Sequence, residues 1–353
     1  MSDSDGRHID PSLGTLSGEA SLQGPLDPSL PSFPLSRRRE RGPGGEGPWR
    51  DLPSRSFEGD EPTYYDRPVL KEPVWIWAVP VYLYVGGTAG AATVLGAAAQ
   101  AIDGERLRGL VRTCRWVAAV GGAAGSALLT YDLGRPERFL NMLRVFRPTS
   151  PMSVGSWVLA AAASCAMGSA LLTDRRGSLG KTGDVAGYSA AVLGMPLAGY
   201  TAVLLANTAV PVWKATRRSL PPLFIASSVS GLASLLGLAP LGPREEKIVH
   251  RFGTIGKVAD LAAMAMVERD AGRVERVGRP LHEGLSGVLW KAARGLTAAS
   301  LAASLLPGRS RVKRTAMALL GTAGALALRF AVFQAGKASA RDPRATFRQQ
   351  RET

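Results

Sequence analysis

Residues 74–102 read VWIWAVPVYLYVGGTAGAATVLGAAAQAI and contain no Asp, Glu, Lys or Arg. A helix needs about 20 apolar residues to cross the hydrocarbon core of a bilayer. Three further stretches are equally free of charge: Pro148–Thr173, Val185–Trp213 and Ser219–Pro243. The bulk composition hides this, because 46% hydrophobic and 20% charged residues also suit a soluble protein. The uneven placement of the charge decides for the membrane.

Working outward from these runs predicts an all-α integral membrane protein of about eight transmembrane helices. The predicted spans are Val74–Ala101, Leu110–Tyr131, Ser153–Thr173, Val185–Asn207, Leu220–Leu241, Ile255–Val267, Gly284–Leu306 and Arg314–Gly336. The sixth is short and contains Asp260, so an interfacial or re-entrant segment is its alternative. The seventh carries Lys291 and Arg294 near its start, where long side chains snorkel to the headgroups. Residues 1–63 are rich in Pro, Gly, Ser and charge and predict a disordered polar tail. The helical domain is expected over residues 64–340, with a charged C-terminal tail at 341–353. No apolar segment of signal-peptide type follows Met1. Arg37-Arg38-Arg39 lies too far from an apolar run to act as a twin-arginine signal.

The net charge of +15 does not point to nucleic acid. Its cations sit in short connections such as Arg106–Arg115, Arg175–Lys181 and Arg309–Arg314, where they hold helix ends at the headgroups. No basic groove with interleaved aromatics is present. Gly86/Gly90 and Gly121/Gly125 are small-xxx-small pairs suited to close helix packing in lipid. Cys114 and Cys165 are too few for an iron–sulfur cluster, which takes about four ligands, and are expected to pack as thiols. If all eight spans cross, both termini and the segments 132–152, 207–219 and 268–284 share one side. The Lys and Arg counts on the two sides are nearly balanced and do not orient the chain.

The most informative connection is Asp132-Leu-Gly-Arg-Pro-Glu-Arg-Phe139, followed by Asn141–Pro148 and Ser150–Trp157. Gly134 and Pro136 should end the second helix. Phe139, Met142, Leu143 and Phe146 recur at helical spacing among Arg138, Arg144 and Arg147, which predicts an amphipathic surface helix. Ser150-Pro151 reads as an N-cap with Pro at the first helical position.

This block resembles the NrfD/polysulfide reductase membrane-subunit family. The residues that carry the likeness are the Asp132–Pro136 run, Leu143–Arg147, Ser150–Ser153 and Gly155–Trp157. Gly199-Tyr200-Thr201, Leu204-Leu205, Pro211, Trp213, Arg329, Gly336-Lys337, Ser339-Ala340 and Asp342-Pro343 add to it. The resemblance covers roughly residues 64–350. It implies a cofactor-free, eight-helix subunit, built in that family as two four-helix bundles, that binds quinone in the plasma (inner) membrane. It also implies two partners, a four-cluster ferredoxin-like iron–sulfur subunit and a molybdopterin catalytic subunit. The residues agree on an independent point. Haem b in a bundle needs His pairs within the spans, and the three histidines, His8, His250 and His282, lie in the tail and in charged connections.

Quinone chemistry needs polar contacts at both ends of a flat apolar ring, one of them able to exchange a proton. On the side that carries the motifs the candidates are Tyr131, Asp132, Arg135, Asn207, Trp213 and Glu72, with Trp75 beside them. Arg138, Arg144 and Arg147 are candidates for docking the partner. Each has a plainer alternative. Asp132 and Arg135 could be a structural pair, the tryptophans an interfacial belt, and Glu72 a solvated residue before the first span. Asp260 and Arg329 are ionisable groups inside spans, expected either as part of a proton path or as a mutual pair. A secondary transporter and a purely structural anchor are the competing functions; no internal repeat favours the first.

Overall fold

A computed structural model describes residues 69–352, apart from 134–136, 138 and 307–309, together with two short strands near the N-terminus. The chain divides into two units, Met1–Asp60 and Glu61–Thr353. In the first, β1 (His8–Asp10) pairs antiparallel with β2 (Thr15–Ser17). The rest of the expected disordered tail lies outside the described residues.

In the second unit the described structure is helical. The long helices are α1 (Ala78–Asp103), α2 (Arg108–Asp132), α3 (Pro151–Leu172), α4 (Ser178–Ala206), α6 (Leu220–Leu236), α7 (Pro243–Ala271), α9 (Gly284–Leu305) and α10 (Arg311–Ala340). Short helices α5 (Pro211–Ala215) and α8 (Glu275–Gly278) sit in the connections, and α11 (Pro343–Glu352) closes the chain. The charged C-terminal tail is therefore largely helical. α1, α3, α4 and α10 are long and apolar enough to cross a membrane, and α6 is a shorter apolar helix. α1 packs on α2 and α4, and α3 on the same two; α6 and α9 each pack on α7 and α10. The two groups meet where α1 and α4 touch α6 and α1 touches α10.

Small residues allow this packing. A Cβ on Gly90 of α1 would lie 2.6 Å from the Gly194 carbonyl of α4, and one on Gly121 of α2 would lie 2.9 Å from Cβ of Ala89. One member of each predicted glycine pair thus sits at a helix crossing, where dispersion contact replaces the hydrophobic effect that lipid cannot supply. Pro196 inside α4 removes one ladder hydrogen bond.

Two expectations need correction. The sixth predicted span, Ile255–Val267, is the apolar half of a 29-residue helix, roughly 44 Å long at 1.5 Å per residue. The apolar run stops at the polar residues 244–251, but the helix continues through them. Pro243 opens it, and the Glu245 carboxylate accepts from the Gly242 N–H (2.8 Å) and the Leu110 N–H (2.6 Å). The predicted amphipathic helix around Phe139–Phe146 is only a single 3₁₀ turn, Leu140–Leu143. Ser153 Oγ accepts from Arg147 N (3.0 Å) and donates to Val145 O (3.2 Å), taking up backbone groups that a longer helix would pair internally. The Ser150 cap is present, with Ser150 Oγ accepting from Ser153 N and Pro151 opening α3.

Candidate functional site

The segment from Lys71 to Trp77 enters α1 and is tied down at four points. The Glu72 carboxylate accepts from Arg341 Nε (2.7 Å) and Arg341 NH2 (2.9 Å), with Lys337 Nζ at 3.8 Å. The hydrogen bond from Arg341, with the Arg341 and Lys337 charges behind it, holds this carboxyl below the usual carboxylate range. Trp75 stacks on Trp213, ring centroids 6.2 Å apart at 22°. The Ile76 N–H donates to Asp132 Oδ1 at 3.0 Å. Trp77 meets Tyr131 at 6.1 Å. The start of α1 and the ends of α2 and α10 therefore come together with α5.

The same end carries further ties. Val212 N donates to Ser339 Oγ (3.2 Å), and Arg276 pairs with Asp342 (2.8 Å). The other end has its own set: Arg108 pairs with Asp174 (3.2 Å), Arg314 pairs with Glu246, and His250 Nε2 contacts Ser304 O (3.0 Å). Chain segments thus return to the same two ends.

Between the ends, α10 places Arg329 in the interior with none of its surface exposed. Its NH2 donates to Phe224 O (2.9 Å) and Ser228 Oγ (3.0 Å), and the guanidinium lies 3.9 Å from the Phe224 ring centroid. Arg329 Nε and NH1 have no hydrogen-bond partner, nor do the Tyr84 and Thr322 hydroxyls. Asp260 is 1% exposed, and both of its carboxylate oxygens are unpartnered. Buried polar groups normally find partners, so these unsatisfied ones on α1, α7 and α10 give the helix interior polar character.

Residues 68–339 match the family described as polysulphide reductase, NrfD. The chain belongs to this family. NrfD proteins are membrane subunits of oxidoreductase complexes, which agrees with the apolar helices and makes this chain a membrane protein. A search of curated proteins finds no match.

The predicted site residues of this NrfD protein are only partly brought together. Glu72, Trp75, Tyr131, Asp132 and Trp213 lie along one stitched strip. Glu72 is not merely solvated, since it anchors α10. Trp213 is not an interfacial belt residue: it is 1% exposed, its Nε1–H donates to Val332 O (3.0 Å), and its ring lies against Gly336. The indole therefore offers no hydrogen bond to a ligand. Tyr131 and Trp77 are 62% and 56% exposed beside Asp132. Asn207 ends α4 in an exposed position, and its side chain makes no hydrogen bond among the described residues. Arg135 and Arg138 lie outside the described residues, so the Asp132–Arg135 pair is not described; the described contact of Asp132 is the Ile76 N–H. Arg144 and Arg147 are exposed. Asp260 and Arg329 form no ion pair within 4 Å, which corrects the expectation of a mutual contact pair.

The sequence reading missed three elements. Arg341 reads in the sequence as tail charge, although it fixes Glu72. Glu245, three residues after Gly242 and two after Pro243, stands at the position from which a helix-opening side chain reaches back to the cap. Lys257, one turn before Asp260, lines the larger described cavity, about 440 Å³ in volume, at the end away from Asp132.

Proposed function

We propose that this chain is the quinone-reactive membrane subunit of a multi-subunit oxidoreductase in the plasma membrane. In this reading all eight long helices cross the bilayer, as two four-helix bundles that meet along α1, α4, α6 and α10. The observation that carries it is the position of Asp132. This carboxylate ends α2 in the family's most specific sequence block, is oriented by the Ile76 N–H, and has the exposed rings of Trp77 and Tyr131 beside it.

A quinone ring entering from the lipid has an aromatic rim to lie against there, and a carboxylate at its polar edge. Oxidation of a quinol releases two electrons and two protons. In this reading Asp132 takes one proton from a quinol hydroxyl and the second leaves to water at this exposed face, with both steps reversed for quinone reduction. The electrons pass to or from a ferredoxin-like four-cluster subunit docked on the same face, where Arg144 and Arg147 supply positive charge and Arg138 belongs to the same connection. A molybdopterin subunit completes the complex. The chain itself supplies no haem or iron–sulfur ligands in this reading: His250 lies inside α7 rather than in a connection as expected, but neither His8 nor His282 lies in a long helix to pair with it. Asp260 and Arg329 form the polar interior through which protons move, supported by their unpartnered oxygens and nitrogens.

The test is Asp132→Asn in the purified complex, assayed with a menaquinol analogue. Asn keeps an oxygen to accept from the Ile76 N–H, so the fold should hold while proton exchange is lost. A fall of about 100-fold or more in quinol turnover is expected from removing a general base. Wild-type turnover in Asp132→Asn removes the site assignment, and electron transfer that survives loss of all the polar candidates favours a structural anchor. Gradient-driven uptake by liposomes holding the chain alone favours a transporter.

A further inference from the structure

At the end of the molecule away from Asp132, α6, α7, α9 and α10 enclose the cavity of about 440 Å³. That volume falls in the range of about 300–1,000 Å³ typical of small-molecule sites. Lys247, His250, Arg251 and Lys257 line it from α7, at spacings that place them on one helical stripe. Leu236, Leu241, Leu306 and Met317 supply an apolar wall.

Lys257 is only 6% exposed, yet it makes no hydrogen bond or ion pair among the described residues. The nearby carboxylates are already committed. Glu246 pairs with Arg314, and Glu245 accepts from the Gly242 and Leu110 N–H groups. Asp260, one turn deeper on α7, makes no ion pair with it. The Lys257 stem is buried while its ammonium, which has no counter-charge, reaches the surface of the cavity. Here it faces a cavity large enough to admit an anion, with Lys247 and Arg251 exposed on the same stripe and without recorded partners of their own.

The geometry points to a binding site for a phosphate-bearing anion in this cavity, held by Lys257, Lys247 and Arg251. The apolar wall favours a glycerophospholipid headgroup over free phosphate as its source, because the cations contact the phosphate while the wall takes the glycerol and the first acyl carbons. Basic pockets between transmembrane helices are used this way for anionic lipids.

The purified full chain, delipidated in neutral detergent, is titrated separately with dioleoyl phosphatidylglycerol, dioleoyl phosphatidylcholine and inorganic phosphate. Thermal unfolding and lipid retained in native mass spectrometry are followed together. Phosphatidylglycerol is expected to give a saturable upward shift that phosphatidylcholine does not. Lys257→Met, and separately the Lys247→Gln/Arg251→Gln double variant, should weaken the apparent affinity about tenfold or more, as expected for loss of a charge-assisted hydrogen bond. Lys257→Arg should retain it. A saturable response to inorganic phosphate that Lys257→Met weakens assigns the same site to a soluble anion. Silence of both anions overturns the proposal, and so do variants that respond like wild type. If Lys257→Met does not fold, the double variant, which alters only exposed side chains, decides.

Discussion

Gly336→Ala is the sharpest test of how the motif-bearing end is built. A Cβ added at Gly336 would overlap three atoms of the Trp213 ring, the farthest of them 2.7 Å away, where ordinary contact is 3.4–4 Å. The ring cannot move aside freely. Its Nε1–H is held by Val332 O at 3.0 Å, one face stacks on Trp75, and the whole side chain is buried. Overpacking a core of this kind costs about 1–3 kcal/mol. Displacing the ring enough to lose its hydrogen bond leaves a buried donor and acceptor unpaired, about 1–3 kcal/mol more. The sum, roughly 2–6 kcal/mol, is a large part of a typical folding stability of about 5–15 kcal/mol. Gly168→Ala is the control, because nothing lies within 4 Å of a Cβ there. It should be neutral or stabilising by about 0.5–1 kcal/mol. The assay is thermal unfolding of the purified full chain in detergent, with tryptophan fluorescence reporting on the Trp213 environment. Trp213→Phe should partly rescue Gly336→Ala, since it removes the benzo ring that clashes. A Gly336→Ala protein that melts at or above the wild-type temperature refutes the packing argument.

Other outcomes follow from the same geometry. Arg329→Met should destabilise the chain by about 1–3 kcal/mol, because it removes the hydrogen bonds that NH2 donates to Phe224 O and Ser228 Oγ and the cation over the Phe224 ring. Arg329→Lys, which keeps the charge but not the planar donor geometry, should recover only part of that loss, and wild-type melting of Arg329→Met refutes the assignment. Glu72 supplies a pH dependence. Its folded pKa is depressed by Arg341, so its contribution is present above the unfolded value of about 4.3 and is lost as pH falls through the lower folded value. Glu72→Gln should flatten that part of the acid-unfolding profile, and raised salt should do the same because the pair is largely exposed. An unchanged acid profile in Glu72→Gln counts against the anchor. Gly155→Ala should also destabilise, since its Cβ would overlap the Tyr200 ring; circular dichroism melts compare it with Gly168→Ala on the same helix.

The helices were legible because their signal is local. A run such as residues 74–102 has no route to stability in water as an exposed helix, and its length matches a bilayer. The Ser150 cap and the Pro151 start are likewise written within a few residues. Where polarity changed without a break in the helix, as in α7, the apolar run understated the element. The loop from Phe139 to Phe146 has helical spacing, but Ser153 competes for its backbone from a neighbouring element, and spacing alone cannot report that.

What the sequence by itself determined is the membrane class, the approximate positions of the long helices and the family, since all three rest on charge-free length and contiguous motifs. Only the tertiary structure decided which polar residues act together. Glu72 meets Arg341 across 269 positions of chain, Asp132 meets Ile76 across 56, and Trp213 is sealed against α10 across 119. Asp260 and Arg329, both buried, make no ion pair with each other. These pairings depend on how closely small residues let the helices approach and on which side chain finds a partner in an interior that has few. A linear pattern carries neither quantity.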